Sequence, residues 1–209
     1  MEQELKNLVQ SRIPTRHGEF TLHYYSNNID DKEHIAFVKG DIAGLQNVPV
    51  RLHSECFTGD VLGSRRCDCG EQLDMALQLI NEAGYGVLLY LRQEGRGIGL
   101  LNKLKAYNLQ DEGLDTVDAN IHLGHLPDER EYSVAALMLK DLQVDSIQLI
   151  TNNPSKIDQL KRLGVRVEDR IAIESEYHHD NLDYLKVKAD KMSHILSFSN
   201  QRTKNPPKD

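Results

Sequence analysis

The chain has 209 residues, 39% of them hydrophobic and 27% charged, and a formal net charge of −7. That length and composition suit one large domain or two small ones with a real core, and they exclude a compositionally disordered chain. The acidic balance (pI ≈ 5.7) argues against a bulk nucleic-acid binder, and the run Val87-Leu88-Leu89-Tyr90-Leu91 is far too short to span a membrane.

The start, Met1-Glu2-Gln3-Glu4, is polar and acidic, so no secretory signal is read and a cytoplasmic location is expected. Residues 20–25 and 34–38 are short β-prone runs. Residues 48–52 alternate, with Val48, Val50 and Leu52 on one face, so the N-terminal part reads as strand-rich. Three cysteines follow within 14 residues: Cys56, Cys67 and Cys69. An odd, clustered set without a secretory signal argues against a disulfide framework and points to a metal. Thiolates are soft ligands, and zinc is the metal expected in a reducing compartment. Three protein ligands leave a tetrahedral position open for water, as in catalytic sites. A fourth ligand from His53, His122 or His125 would instead close a structural site, and the spacing alone leaves both readings open. Three thiolates on Zn²⁺ leave an excess negative charge, so water there is acidified less than on a neutral three-histidine site and help from a neighbouring group is expected. His53-Ser54-Glu55 spells the H-x-E half of the zinc deaminase signature. The P-C-x-x-C half is missing, since the chain has Cys67-Asp68-Cys69, and a deaminase fold is not supported.

Residues 72–83 read as a helix, with Leu73, Ala76, Leu77 and Ile80 on one face and Gly84 at the C-terminal cap. Residues 87–91 read as a buried strand. Arg92-Gln93-Glu94-Gly95-Arg96-Gly97-Ile98-Gly99 follows it. Its glycines permit close approach to a ligand and its arginines suit phosphates, although a plain turn with solvated arginines fits equally. A helix is predicted over 100–109, and another over 133–142 with Val134, Leu137, Met138 and Leu142 on a face. Before the latter stands Asp128-Glu129-Arg130, where Asp128 taken alone reads as a helix N-cap. Ile147–Ile150 is a predicted strand. Residues 154–163 form a predicted helix, with Pro154 first and Gly164 after it. At that junction Thr151 and Lys156 beside a helix N-terminus suit a phosphate, while Asn153 also suits an ordinary cap. Residues 165–167 read as a short strand and 190–197 as a last helix. Strands alternating with helices over 72–167 imply an α/β fold with a mixed, partly parallel sheet flanked by helices. A single domain over 1–196 is expected, with a polar, disordered tail at 197–209. No P-loop signature occurs. Arg51, Arg65, Arg66, Arg92, Arg96, Arg130 and Lys156 fall beside the two junctions and the cysteines, which favours a phosphorylated ligand over scattered surface charge.

Taken together, these segments resemble GTP cyclohydrolase II, the enzyme family that opens the guanine ring at the start of riboflavin synthesis. The carrying motifs are Arg51-Leu52-His53-Ser54-Glu55-Cys56-Phe57-Thr58-Gly59-Asp60, Arg66-Cys67-Asp68-Cys69-Gly70 and Arg92-Gln93-Glu94-Gly95-Arg96-Gly97-Ile98-Gly99-Leu100. They continue with Ala106-Tyr107, Asp115-Thr116-Val117-Asp118-Ala119-Asn120, Asp128-Glu129-Arg130 and Thr151-Asn152-Asn153-Pro154. The similarity runs over residues 10–196, in family order and with family-like gaps. It implies one catalytic Zn²⁺ per subunit on Cys56, Cys67 and Cys69. It implies GTP contacts from Arg51, Leu52, His53, Ser54 and Glu55, from Gln72, from Glu94, Gly95 and Arg96, and from Thr116, Thr151 and Lys156. Asp128 is implied as general base, Arg130 as nucleophile on the α-phosphorus, and Tyr107 as an aid to hydrolysis at the ring. Arginine is a poor nucleophile unless a base takes its proton, so an electrostatic clamp on the phosphoryl group is the alternative for Arg130. Mg²⁺ with the triphosphate and a homodimer are also implied, with neither nucleic acid nor membrane as a partner. The implied products are formate, pyrophosphate and a diaminopyrimidinone ribosylamino 5′-phosphate. Tyr107 stands where relatives that stop at the formylated pyrimidine differ, so the complete reaction is expected. Residues 174–181, with His178-His179, depart from the family pattern. No dihydroxybutanone-phosphate synthase domain precedes the chain, so a monofunctional protein is expected.

Overall fold

Seven strands form one sheet in the order β1-β2-β3-β5-β4-β6-β7. The computed structural model describes residues 2–175 and 181–196. The strands are β1 (Leu5–Thr15), β2 (Gly18–Asn27), β3 (His34–Lys39), β4 (Val48–Ser54), β5 (Gly86–Leu91), β6 (Ile147–Ile150) and β7 (Val167–Ile171). The helices are α1 (Phe57–Asp60), α2 (Cys69–Ala83), α3 (Gly99–Asp111), α4 (Thr116–His122), α5 (Ser133–Asp141), α6 (Pro154–Arg162) and α7 (Leu182–Met192). The first three strands pair antiparallel, and β3 meets β5 antiparallel. From β5 onward every pair is parallel: β4 with β5, β4 with β6 and β6 with β7. The sheet is thus mixed and partly parallel, and the fold is α/β.

Burial explains the order. β4 and β5 are apolar or buried at nearly every position, as strands covered on both faces must be. Val50, Leu52, Leu89 and Leu91 point into one core with Val134, Met138 and Leu160 from α5 and α6. Leu88 and Ile150 point the other way, onto Ala76 and Ile80 of α2. Arg51 and His53 share that second face and are buried. They lie beneath the N-terminal end of α2, where the apolar core gives way to polar side chains.

The predicted helices over 72–83, 100–109, 133–142 and 154–163 match α2, α3, α5 and α6. Gly84 has the left-handed cap conformation (φ +78°), and Asn153 accepts from Ser155 N at 2.9 Å as the cap of α6. Asp128 is not a cap. α5 starts five residues later, and Glu131 accepts from Ser133 N there. The strand predicted at 165–167 begins only at Val167, because Val165 N is spent on Leu160 O in closing α6. β7 then runs through the exposed Glu168 and Asp169 as an edge strand, whose polar face hides it from a hydrophobic pattern. The last helix is Leu182–Met192 and not 190–197: Ser193 adopts φ +54° and ends it, and Ser197 lies outside the described residues. His178-His179 and the 197–209 tail also lie outside them. Among the described residues no helix is long and apolar enough to cross a membrane.

Leu89 is fully buried at the centre of the sheet. Leu89→Ala is expected to cost about 2–5 kcal/mol, whereas Leu101→Ala, at a side chain 67% exposed, should change stability by less than about 0.5 kcal/mol. Urea unfolding followed by circular dichroism checks both.

Candidate active site and metal centre

The parallel strands β5, β4, β6 and β7 leave the sheet at one edge, and ligand crevices form at that edge in open parallel sheets. β4 delivers His53 to Cys56, β5 delivers Gln93 to Ile98, and β6 delivers Thr151 to Lys156. These loops, with α2, α3 and α7, enclose one cleft.

The three thiols meet there. Their Sγ atoms all lie within 4.8 Å of one another, with Cys56 and Cys67 3.6 Å apart, and no disulfide joins them. Thiolates around tetrahedral zinc at ~2.3 Å stand about 3.8 Å apart. The space between them depends on Gly59: a Cβ there would lie 3.0 Å from Cys67 Sγ and 3.1 Å from Cys56 Sγ. Gly70 seats the first turn of α2 on α1, since a Cβ would come within 2.4 Å of Gly59 O. The residues therefore fit a soft tetrahedral metal. Among the described residues no histidine or carboxylate joins the group. His122 is exposed, His125 faces Glu129 at 3.1 Å, and His53 is engaged by Asp60. The closed-site alternative finds no fourth ligand among the three histidines named for it.

Asp60 is the anchor of this corner. It accepts from His53 Nε2 at 3.0 Å, from Tyr90 Oη at 2.8 Å and from the backbone N of Cys56 at 3.0 Å. His53 also stacks on Tyr90, the centroids 5.4 Å apart. Burial holds His53 below its ordinary pKa despite Asp60, so the ring is neutral at pH 7 and its Nε2–H donates to Asp60. That leaves Nδ1 a bare acceptor, buried and without a partner among the described residues.

The cations divide into two groups. Arg130 grips Asp128 through both oxygens, with Nε 2.8 Å from Oδ1. Burial opposes the Asp128 carboxylate, but Arg130 holds its pKa below the usual range. Burial also opposes the charge on Arg130, while Tyr132 and Asp128 hold its pKa above that of free arginine. Arg51, Arg96 and Lys156 have no carboxylate partner among the described residues. Arg51 donates to Ile150 O at 3.0 Å and Gln72 Oε1 at 2.6 Å. Lys156 donates to Leu52 O at 2.9 Å, and burial together with Arg130 and Arg51 pushes its pKa well below the usual lysine range. Arg96 sits at φ +62° between Gly95 (φ +63°) and Gly97 (φ +99°). Its carbonyl accepts from Glu129 N at 3.0 Å, and a Cβ at Gly97 would stand 3.0 Å from Glu129 O. The glycine loop is thereby tied to the loop carrying Arg130.

The cleft is lined by the cysteines and by Arg51, His53, Ser54, Glu55 and Gln72. Of the other predicted residues, Glu94, Gly95, Arg96, Tyr107, Thr116, Arg130, Thr151 and Lys156 also line it. Leu52 does not line it, since its side chain is in the core and only its carbonyl reaches Lys156. Asp128 stands behind Arg130. Arg66 and Arg92 pair instead with Asp111 and Glu55, and Arg65 is exposed. Sequence reasoning missed Lys103, whose Nζ lies 3.0 Å from Cys56 Sγ. It also missed the contribution of α7. Tyr184, Lys188 and Met192, with His194 just beyond, line the cleft, and Lys188 Nζ reaches Asp68 at 2.5 Å. Asp68 in turn accepts from Gln72 Nε2 at 2.6 Å.

Fold and site together define an α/β domain whose cleft joins a cluster of three cysteines to cations that have no carboxylate partner among the described residues. A protein-family model described as GTP cyclohydrolase II matches residues 6–172, and the chain belongs to that family. It is 54% identical over 195 residues to the riboflavin biosynthesis protein RibBA of Chlamydia muridarum, covering 93% of this chain and 46% of that one. It is 53% identical over 191 residues to RibBA of Bacillus subtilis, covering 91% and 48%. The chain spans about half the length of the curated relatives it matches. A solved structure, RibBX, a two-domain 3,4-dihydroxy-2-butanone 4-phosphate synthase from A. baumannii, aligns at a TM-score of 0.47 and 22% identity, over 84% of this chain and 41% of that one.

Gly59→Ala should leave the chain folded and sharply lower its zinc content, because the methyl meets two sulfurs; metal analysis of the purified variant reads this. Asp128→Asn removes the carboxylate partner of the half-buried Arg130 and should destabilise the fold at pH 7 by about 1–3 kcal/mol. The Asp128 contribution is complete above its unfolded pKa of about 3.9 and is lost as pH falls through its lowered folded pKa. The stability gap between parent and variant should therefore narrow progressively as pH falls below about 4, and urea titrations at several pH values test it.

Proposed function

We propose that the chain hydrolyses GTP as the first step of riboflavin synthesis. The guanine imidazole ring opens, giving formate, pyrophosphate and the diaminopyrimidinone ribosylamino 5′-phosphate. One observation carries this reading: a soft three-ligand set shares a cleft with Arg51, Arg96 and Lys156, cations that have no carboxylate partner among the described residues. Membership of the GTP cyclohydrolase II family supports it.

Cys56, Cys67 and Cys69 would hold one zinc per subunit, which when bound supplies Lewis acidity for water attack on the purine imidazole. The chain's own groups do the rest. Arg51 and Lys156, with Thr151 at the entrance to α6, bind the phosphates, and an anion relieves their mutual repulsion. Arg130 keeps its proton and acts as a clamp on the α-phosphoryl group; Asp128 aims it and is too weak a base to deprotonate it. His53 offers Nδ1 as an acceptor to a substrate N–H. Ser54, Glu55, Gln72, Glu94, Gly95, Arg96 and Thr116 orient the nucleoside. Burial pushes the Tyr107 hydroxyl above its ordinary pKa, against the pull of Lys103, so it keeps its proton and is placed to donate it at the opening ring. Mg²⁺ accompanies the triphosphate. The working unit in this proposal is a cytoplasmic homodimer of one domain over 1–196 with a polar tail.

Zinc-loaded protein given GTP and Mg²⁺ should release formate and pyrophosphate; absence of formate with the metal in place rejects the reading. Cys56→Ser should lose zinc and ring opening together. Lys156→Met should raise KM for GTP about 10- to 100-fold by removing a charge-assisted contact.

A further inference from the structure

Helix α3 is built inside out. Leu101 and Leu104 are 67% and 43% exposed, while Lys103 is only 9% exposed. A buried ammonium is costly unless anionic groups face it. Two do: Cys56 Sγ at 3.0 Å and Glu94 Oε1 at 2.8 Å. Glu94 is itself fixed, accepting from the backbone N of Phe57 at 2.6 Å and from Gly95 N at 2.7 Å. The pair therefore grips Cys56 twice, at its sulfur through Lys103 and at the next peptide through Glu94. Among the described residues Cys56 is the one thiol of the three with a cationic donor.

Three thiolates leave a divalent metal with an excess negative charge, and this site is largely buried. An N–H donor on one sulfur drains charge from it and fixes its direction. Donors of this kind behind a metal's ligands commonly change affinity about 10- to 100-fold when removed.

We propose that Lys103, held by Glu94, is a positioning residue of the metal centre: its ammonium orients the Cys56 sulfur and offsets the surplus charge of a three-thiolate site. This rests on the reading that Cys56, Cys67 and Cys69 bind metal. The test is anaerobic titration of the metal-free full chain with Co²⁺, following the sulfur-to-cobalt charge-transfer band, with zinc affinity measured by chelator competition. Lys103→Met should bind either metal about 10- to 100-fold more weakly, and the band should move to lower energy as the sulfur becomes a better donor. Lys103→Arg, which keeps charge and donor, should stay close to the parent. If the methionine variant does not fold, Lys103→Gln, which still offers Glu94 an N–H, carries the same expectation. Neutral variants with parental affinity and an unmoved band overturn the proposal. A parent chain that takes up no cobalt on its thiols overturns the metal reading beneath it, so the two failures are distinguishable.

Discussion

The site depends on four neighbouring strands running the same way. Parallel pairing of β5, β4, β6 and β7 forces each chain to leave the sheet at a common edge. The cysteine loop, the glycine loop and the start of α6 therefore converge although they are far apart in sequence. Burial on both faces fixes the register of β4, and with it the direction of every side chain from Arg51 to Ser54. Shifting that strand by one residue would send Arg51 and His53 into the apolar core and Leu52 into the cleft.

Within the cleft, charge is sorted by partner. Lys103 with Glu94, Lys188 with Asp68, and Arg130 with Asp128 are closed pairs that hold the frame. Among the described residues Arg51, Arg96 and Lys156 are the remainder. A protein interior tolerates such a surplus only where a ligand or water compensates it. The same division explains why an acidic chain suits an anionic ligand: the acidic residues around the cleft are largely engaged in fixing cations, and the rest of the negative charge is spread over the surface.

Much of this was legible in the sequence, because it depended on local chemistry. The cysteine spacing, the apolar runs of β4 and β5, the Gly84 and Asn153 caps and the faces of α2 and α5 are all written in short windows. What escaped was decided by distant contacts. β1 and β7 are edge strands whose polar faces resemble loops. Asp128 reads as a cap beside the helix that follows, but Arg130 claims it. α3 reverses the usual pattern, burying Lys103 and exposing Leu101, because the surface beneath it is a thiolate and not a core. Nothing in residues 182–192 marks Lys188 for a partner 120 positions earlier.

That last contact has a consequence for how the protein is made. Asp68 is synthesised well before α7 and is almost wholly enclosed in the finished fold, yet its ion-pair partner Lys188 arrives only with that helix. Until α7 is made, the thiol loop holds a carboxylate whose charge is offset by Arg51 alone of the two cations that act on it in the finished fold. Final closure of the cleft is therefore deferred until α7 docks. A messenger cut short before that helix would still encode all seven strands of the sheet, but the cysteine corner would never set.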